Sequence, residues 1–337
     1  MSNKYASPSL QMAGADNPSE DIIASENWFT ELDRLNSVLR AKRVEKDESY
    51  KPVKVAILDT GVRPDSEDLV EDYKDFVSGN DVDCTDGEGH GTYAVQLIRK
   101  TNNAAKIYVG RVFRRRTADD NTLSLMTQAV RHATHQWGVD VIVMPSGFQS
   151  ESDDMIEAIE EARSARILVF AAAANYGNLS HISFPGRLYI DKKLFCMFST
   201  DGRSRALPSF NPSVSKAAGY GFAILGDGIR LHEGGEHLGG TSFAAMLGAG
   251  LASRILDFSR QSIDGKKVEK AERLQTVEGM TKVFDIMVGS GIDNRYHCIT
   301  PWKILRANSA GDQVLNRLAE RSHICERISQ KMVDLYI

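Results

Sequence analysis

The chain is poor in the residues that mark special-purpose architectures. Four of its 337 residues are cysteine, at 84, 196, 298 and 325, and no two form a CxxC pair. That density and spacing exclude a disulfide-stapled scaffold and predict free thiols. With 9 Pro and 27 Gly, collagen-like and proline-rich chains are excluded. No apolar run reaches the roughly 20 residues that span a bilayer, so no membrane partner is expected. Charge of either sign is also not in excess: the net charge is −4. That balance gives no global pull toward nucleic acid or anionic lipid. The one basic cluster, Arg111 to Arg116, reads as a solvated loop after a strand. The first ten residues hold no apolar h-region, so no secretory signal is visible there. Together with the free thiols, this predicts a cytoplasmic, intracellular protein.

What is present is ordinary globular composition, 42% hydrophobic and 26% charged, which excludes disorder for most of the chain. Residues 1 to about 20 read as a polar leader. From Ser25 to Lys46 the pattern is helical: Trp28, Leu32, Leu35, Val38 and Leu39 make one apolar stripe, with Ser25 as the expected cap. Short β-branched runs follow at 53–58, 106–109, 139–144, 167–170 and 194–198. Helical patterns lie between them near 91–101, 121–137 and 152–165. This alternation predicts an α/β fold, a mainly parallel, doubly wound sheet with helices on both faces. Residues 180–240 read as loop-rich. Ser242 to Phe258 reads as a buried helix whose small residues permit close approach to a sheet. A closing amphipathic pattern runs roughly from Asp312 to Met332. The expected organisation is a leader and helix over 1–50, a main α/β domain over 51–305 and a helical extension over 306–337.

Parallel α/β sheets place function beyond the carboxyl ends of their strands, and three segments there carry reactive side chains. Asp59 ends the first strand in Leu58-Asp-Thr-Gly61. His90 lies in Gly89-His-Gly-Thr92 and opens a helix, whose N-terminus disfavours a standing positive charge and keeps imidazole available as a base. Ser242 lies in Gly239-Gly-Thr-Ser-Phe-Ala244 at the start of the buried helix. Its backbone N–H is one of the unpaired donors that suit a developing oxyanion. Each has a plainer reading alone: Asp59 as a turn residue, His90 as a buried ring, Ser242 as an N-cap.

The order Asp, His, Ser is that of one known class of triad. The segments Ala56-Ile-Leu-Asp-Thr-Gly-Val62, Gly89-His-Gly-Thr92 and Gly240-Thr-Ser-Phe-Ala244 resemble the three signature blocks of subtilisin-like serine proteases, the subtilase family. Phe170-Ala-Ala-Ala-Ala-Asn175-Tyr-Gly177 resembles the block that supplies the family's oxyanion-hole asparagine. The resemblance covers about residues 50–260. It implies Asp59, His90 and Ser242 as catalytic residues, Asn175 as oxyanion donor, and Ser146, Gly147, Ala173 and Ala174 as substrate-binding residues. It implies a protein or peptide substrate, no nucleic-acid partner, and no metal or organic cofactor. A protease active in the cytosol further implies restraint by narrow specificity, an inhibitor or a regulatory partner. The flanks around Trp28 and Arg295 to Trp302 look like those of subtilase domains in intracellular fungal proteins. Some of those sit beside cell-death or immune-type proteins, which implies regulatory cleavage. The alternative on the same fold is a catalytically weak or inactive binding module.

Several positions depart from the family pattern. Ala174 stands where a glycine is usual, which would strain the backbone if φ were positive. Gln96 follows His90 where a small residue is usual and is expected to loosen the packing there. Ala245 and Met246 replace the usual Thr-Pro, and Pro145 replaces a residue with a backbone donor. His232-Glu-Gly-Gly-Glu-His237 looks like a zinc helix motif with its spacing one residue off. Its glycine pair opposes the helix that would bring both histidines to one face.

Overall fold

Five runs rich in Val, Ile and Phe become the buried heart of an eight-stranded sheet in the computed structural model. The described residues are 18–79, 85–115, 117–175, 177, 181–214, 221–232, 234–289, 295–306 and 316–335. The strands are β1 Lys54–Asp59, β2 Asp72–Asp75, β3 Lys106–Arg111, β4 Val141–Met144, β5 Leu168–Ala172, β6 Phe195–Thr200, β7 Phe222–Leu225 and β8 His297–Cys298. Their order is β2-β3-β1-β4-β5-β6-β7-β8, and every neighbouring pair is parallel. Near-continuous apolar runs suit such strands because both faces are covered. Along β1, Val55 and Ile57 join one core layer while Ala56 and Leu58 join the other.

The helices are α1 Pro18–Leu39, α2 His90–Thr101, α3 Thr122–His132, α4 Asp153–Ser164, α5 Thr241–Ser259, α6 Val277–Met287 and α7 Arg317–Val333. Residues of α1, α2, α5, α6 and α7 share one core layer; those of α3 and α4 share the other. The expected doubly wound α/β arrangement is therefore present. Every residue of α5 is buried. Its glycines give the predicted close approach: a Cβ on Gly248 would come within 2.8 Å of Met197 on β6, and one on Gly250 within 2.8 Å of Thr101 on α2.

Some expectations change. The first helix starts at Pro18 and ends at Leu39, so Ser25 is an interior residue, 1% exposed, and not a cap. Its apolar stripe is as expected, with Trp28, Leu32, Leu35, Val38 and Leu39 all buried. The chain then turns through a 3-10 segment, Arg43–Glu45. Helix α3 passes into a π turn, Ala133–Trp137. The strands β2, β7 and β8 and the helix α6 had no counterpart in the sequence reading. No helix among the described residues is long and apolar enough to cross a membrane. The leader over 1–17, Cys84, Arg116 and Glu233 lie outside the described residues.

Candidate active site

The chain reverses direction across the sheet at β1, which has β3 on one side and β4 on the other. Such a switch point leaves a crevice beyond the strand ends, and Asp59 is the last residue of β1. His90 is the first residue of α2, entered through Gly89 at φ +79°. Its Nδ1 lies 2.8 Å and 2.9 Å from the two carboxylate oxygens of Asp59. Both side chains are almost fully buried. A buried carboxylate on Nδ1 fixes the tautomer and the ring plane.

Ser242 lies on α5, which packs beside α2. The His90 ring meets Phe243 edge-on at 5.6 Å between centroids, so the imidazole lies against the first turn of α5. The helix begins at Thr241 and its cap is Gly240. Ser242 is thus the second helical residue and its plainer reading as an N-cap fails. Its N–H belongs to the helix's unpaired first turn.

Asn175 follows β5 and is tied to the residue before Ser242. Its Oδ1 accepts from the Thr241 N–H at 2.7 Å and lies 3.0 Å from the Thr241 hydroxyl. A backbone N–H can only donate, so the atom facing it is the oxygen, and the amide nitrogen points the other way. Gly240 makes room for this amide. It holds φ +133°, and a Cβ there would come within 3.0 Å of Asn175 Nδ2. The glycine pair thus has a specific use at Gly240, which the motif alone did not reveal.

Asp86 is the functional-site residue that sequence reasoning missed. Its Oδ1 accepts from the Thr60 hydroxyl at 2.9 Å, the Gly89 N–H at 2.8 Å and the Glu88 N–H at 3.2 Å. Its Oδ2 accepts from the Thr92 N–H at 2.9 Å and the Thr92 hydroxyl at 2.6 Å. The Thr60 hydroxyl in turn accepts from Gly91 N–H at 3.0 Å, and the Thr60 N–H donates to Asp59 at 2.7 Å. One carboxylate therefore joins the strand end bearing Asp59 to the helix start bearing His90. Burial pushes its pKa up, but the donors from Thr92, Thr60 and Gly89 outweigh burial and hold it below the ordinary carboxylate value. The Asp86-Gly87 turn just ahead of a helix start was the signal available in the sequence.

The four expected substrate-binding positions lie on the segments after β4 and β5. Ser146 is 5% exposed, Ala174 is 9% exposed and Ala173 is fully buried, while Gly147 is partly exposed. Ala174 is absent from the described residues with positive φ, so the alanine there is unstrained. Gln96 is partly exposed and therefore does not sit within the packing behind His90. Ile229 and Leu238 bridge each other, and the described residues between them form no helix. Arg111 pairs with Asp75 at 3.0 Å and Arg114 donates to the Val77 carbonyl at 3.3 Å, so part of the basic cluster is structural.

Fold and site together define a parallel α/β sheet protein of the serine-protease class, with an Asp–His pair, a helix-borne serine and an asparagine amide beyond the strand ends. The family model for the subtilase family matches residues 50–282, and the chain belongs to that family. It is 33% identical over 153 residues to subtilisin DY of Bacillus licheniformis, covering 42% of this chain and 54% of that protein. It is 27% identical over 184 residues to an intracellular serine protease of Paenibacillus polymyxa, covering 49% and 56%. The chain thus spans about half the length of these curated relatives. Among solved structures, a lanthipeptide protease superposes with TM-score 0.63 at 18% identity, covering 87% of this chain and 98% of that one. The prenylagaramide maturation protease PagA superposes with TM-score 0.57 at 18% identity, with the same coverage. At that identity the superpositions speak for the fold.

Proposed function

We propose that the chain is a serine endopeptidase that cleaves a protein or peptide substrate through an acyl-enzyme. The observation that carries this is the double contact of His90 Nδ1 with Asp59, with the ring set against the helix turn that holds Ser242. The Ser242 Oγ attacks the scissile carbonyl carbon and His90 Nε2 takes its proton. Asp59 stabilises the resulting imidazolium without being protonated itself. The oxyanion accepts hydrogen bonds from the Ser242 N–H and the Asn175 amide. His90 then protonates the leaving amine as the C–N bond breaks, leaving an ester that water hydrolyses by the same steps in reverse. A serine hydroxyl is a weak nucleophile without such a base, which is why the three groups must converge.

The flanking-segment resemblance adds limited, regulatory cleavage in a cell-death or immune-type pathway, carried out inside the cell and held in check by an inhibitor or partner. The test is an active-site fluorophosphonate probe with Ser242→Ala as control. Wild type should label and cleave a peptide library. The variant should not label, and its kcat should fall by on the order of 10⁶, the scale of triad removal in subtilisin. A wild-type protein that neither labels nor cleaves would make the fold a binding module instead.

A further inference from the structure

We infer that a cavity on the far side of the sheet is a second ligand site, and that it takes a single-chain carboxylate of medium length. The site stands apart from the candidate active site. It is floored by Phe195 and Phe222, the first residues of β6 and β7, whereas the crevice lies beyond the opposite, carboxyl ends of the strands. At about 3.3 Å per residue, the length of β6 alone puts at least roughly 17 Å between the two.

The cavity has a volume of about 430 Å³, within the range of small-molecule sites. At roughly 30 Å³ for a water-sized group, it holds on the order of a dozen non-hydrogen atoms. Its inner wall is apolar: Leu194, Phe195 and Phe222 line it and are buried. That wall is also held from behind. Phe195 stacks on Phe170 of β5 at 4.8 Å between centroids. Both Phe195 and Phe222 meet Phe284 of α6 edge-on, at 5.5 Å and 5.4 Å. Rings packed against one another in this way keep the floor from collapsing into the space. The mouth is apolar as well. Ile190 lines it while 52% exposed, and Leu335 beside it is partly exposed. An alkyl chain entering here fills the cavity and takes Ile190 out of water, which drives binding.

Charge selects the head group. The ionisable carboxyl and amino groups lining the cavity are Lys192, Lys282 and Glu278, two positive charges against one negative. Both lysines are exposed, so their ammonium groups belong to the rim. Neither is held in an ion pair among the described residues. They come from different elements, Lys192 from just after the 3-10 segment Gly186–Asp191 and Lys282 from α6. A carboxylate at the mouth is therefore attracted from two sides, while its chain occupies the apolar interior. A neutral head group gains only the apolar part, and a cationic one is repelled.

The test titrates octanoate into the full chain by calorimetry, below its micellar concentration, beside octanol and octyltrimethylammonium. One octanoate should bind per chain, with Kd on the order of 1 mM or tighter. Octanol should bind more weakly, and the cation more weakly still. Lys192→Ala with Lys282→Ala should weaken octanoate about 10-fold and leave octanol unchanged. Thr281→Trp, which puts an indole on the partly exposed wall of the cavity, should block both. Equal affinity for the three head groups, many weak sites per chain, or undiminished binding in a folded Thr281→Trp variant overturns the proposal. So does a dimer in sedimentation that Ile190→Glu dissolves, because the apolar mouth then belongs to a second copy of the chain. The head-group comparison on wild type stands however the variants fold. It needs no turnover, so its outcome is separate from that of the peptidase reading.

Discussion

At the scale of single residues, the candidate site groups are few, and what holds them takes more residues than the motif names. Asp86 is the clearest case. Its two oxygens take five donors from Thr60, Glu88, Gly89 and Thr92, and it is 3% exposed. The hydroxyls of Thr60 and Thr92 each donate to Asp86 and accept a backbone N–H, from Gly91 and Arg63 respectively. Asn at 86 keeps the shape but turns one acceptor into a donor, which then faces a backbone N–H whichever way the amide is flipped. Leaving buried donors unmatched costs about 1–3 kcal/mol each. We expect Asp86→Asn to lose on the order of 3 kcal/mol in urea titration. Because Thr60 and Gly89 adjoin Asp59 and His90, kcat should also fall by about 100-fold, the usual cost of small misplacement. Wild-type kcat in this variant would mean that Asp86 supports the fold alone.

At the scale of elements, the sequence was legible wherever a side chain's own neighbours decided its fate. The runs that became β1, β3, β4, β5 and β6 are apolar on both faces, and the stripe of α1 faces one core. The three signature segments were legible because Asp59 ends a strand and His90 and Ser242 stand at helix starts. What escaped was decided by distant contacts. β2, Asp72–Asp75, is a polar edge strand that pairs only with β3, so no apolar alternation marks it. β8 is two residues long. By contrast α6 was readable: Thr276 caps it through Gly279 N–H, and Met280, Val283, Phe284 and Met287 line its buried side.

The early start of α1 belongs to the distant class. Its first turns lie against Gly202 and Gly228, nearly two hundred residues away. A Cβ on Gly202 would come within 2.3 Å of the Ala24 backbone, and one on Gly228 within 2.9 Å of Asp21 O. Arg203 and Arg230 flank the seam, facing Asp21 at 3.4 Å and Glu26 at 2.6 Å. We therefore expect Gly202→Ala to push the helix off its bed. Overpacking of this kind typically costs about 1–3 kcal/mol. It should appear as a lower denaturant midpoint, with earlier exposure of Trp28, which lies edge-on to Trp302 at 5.7 Å. An unchanged midpoint would show that the helix can shift without loss.

At the scale of the whole molecule, the first and last helices are stitched to each other and to the end of α5 through buried charge. Arg321 of α7, fully buried, donates to the Val38 carbonyl at 2.9 Å, the Leu39 carbonyl at 3.3 Å and Gln261 at 2.7 Å. It thereby caps the end of α1. Arg317 pairs with Glu45 at 2.6 Å. These ties make stability a property of the whole chain, and its pH dependence follows from groups spread across it. Burial holds the His297 pKa below its ordinary value against the pull of Asp285. Burial and the nearby Arg327 and Arg306 do the same for His323. An unfolded histidine therefore takes up its proton first as pH falls through 6.5, the ordinary value, and folding stability is lost there. Asp86 and Glu45 are lowered because their hydrogen bonds, and for Glu45 its arginines, outweigh burial. Their contribution is complete above the ordinary values of 3.8 and 4.5 and is lost as pH falls further. Asp227 and Asp285 are raised by burial; they bind protons earlier in the folded state and oppose the loss just above 3.8. Calorimetric scans from neutral pH downward should show the melting temperature falling through about 6.5, flattening above about 4, and falling again below. His297→Gln with His323→Gln should remove the first step and keep the second. A single step near 4 in the wild type would show that both histidines titrate alike in folded and unfolded chains.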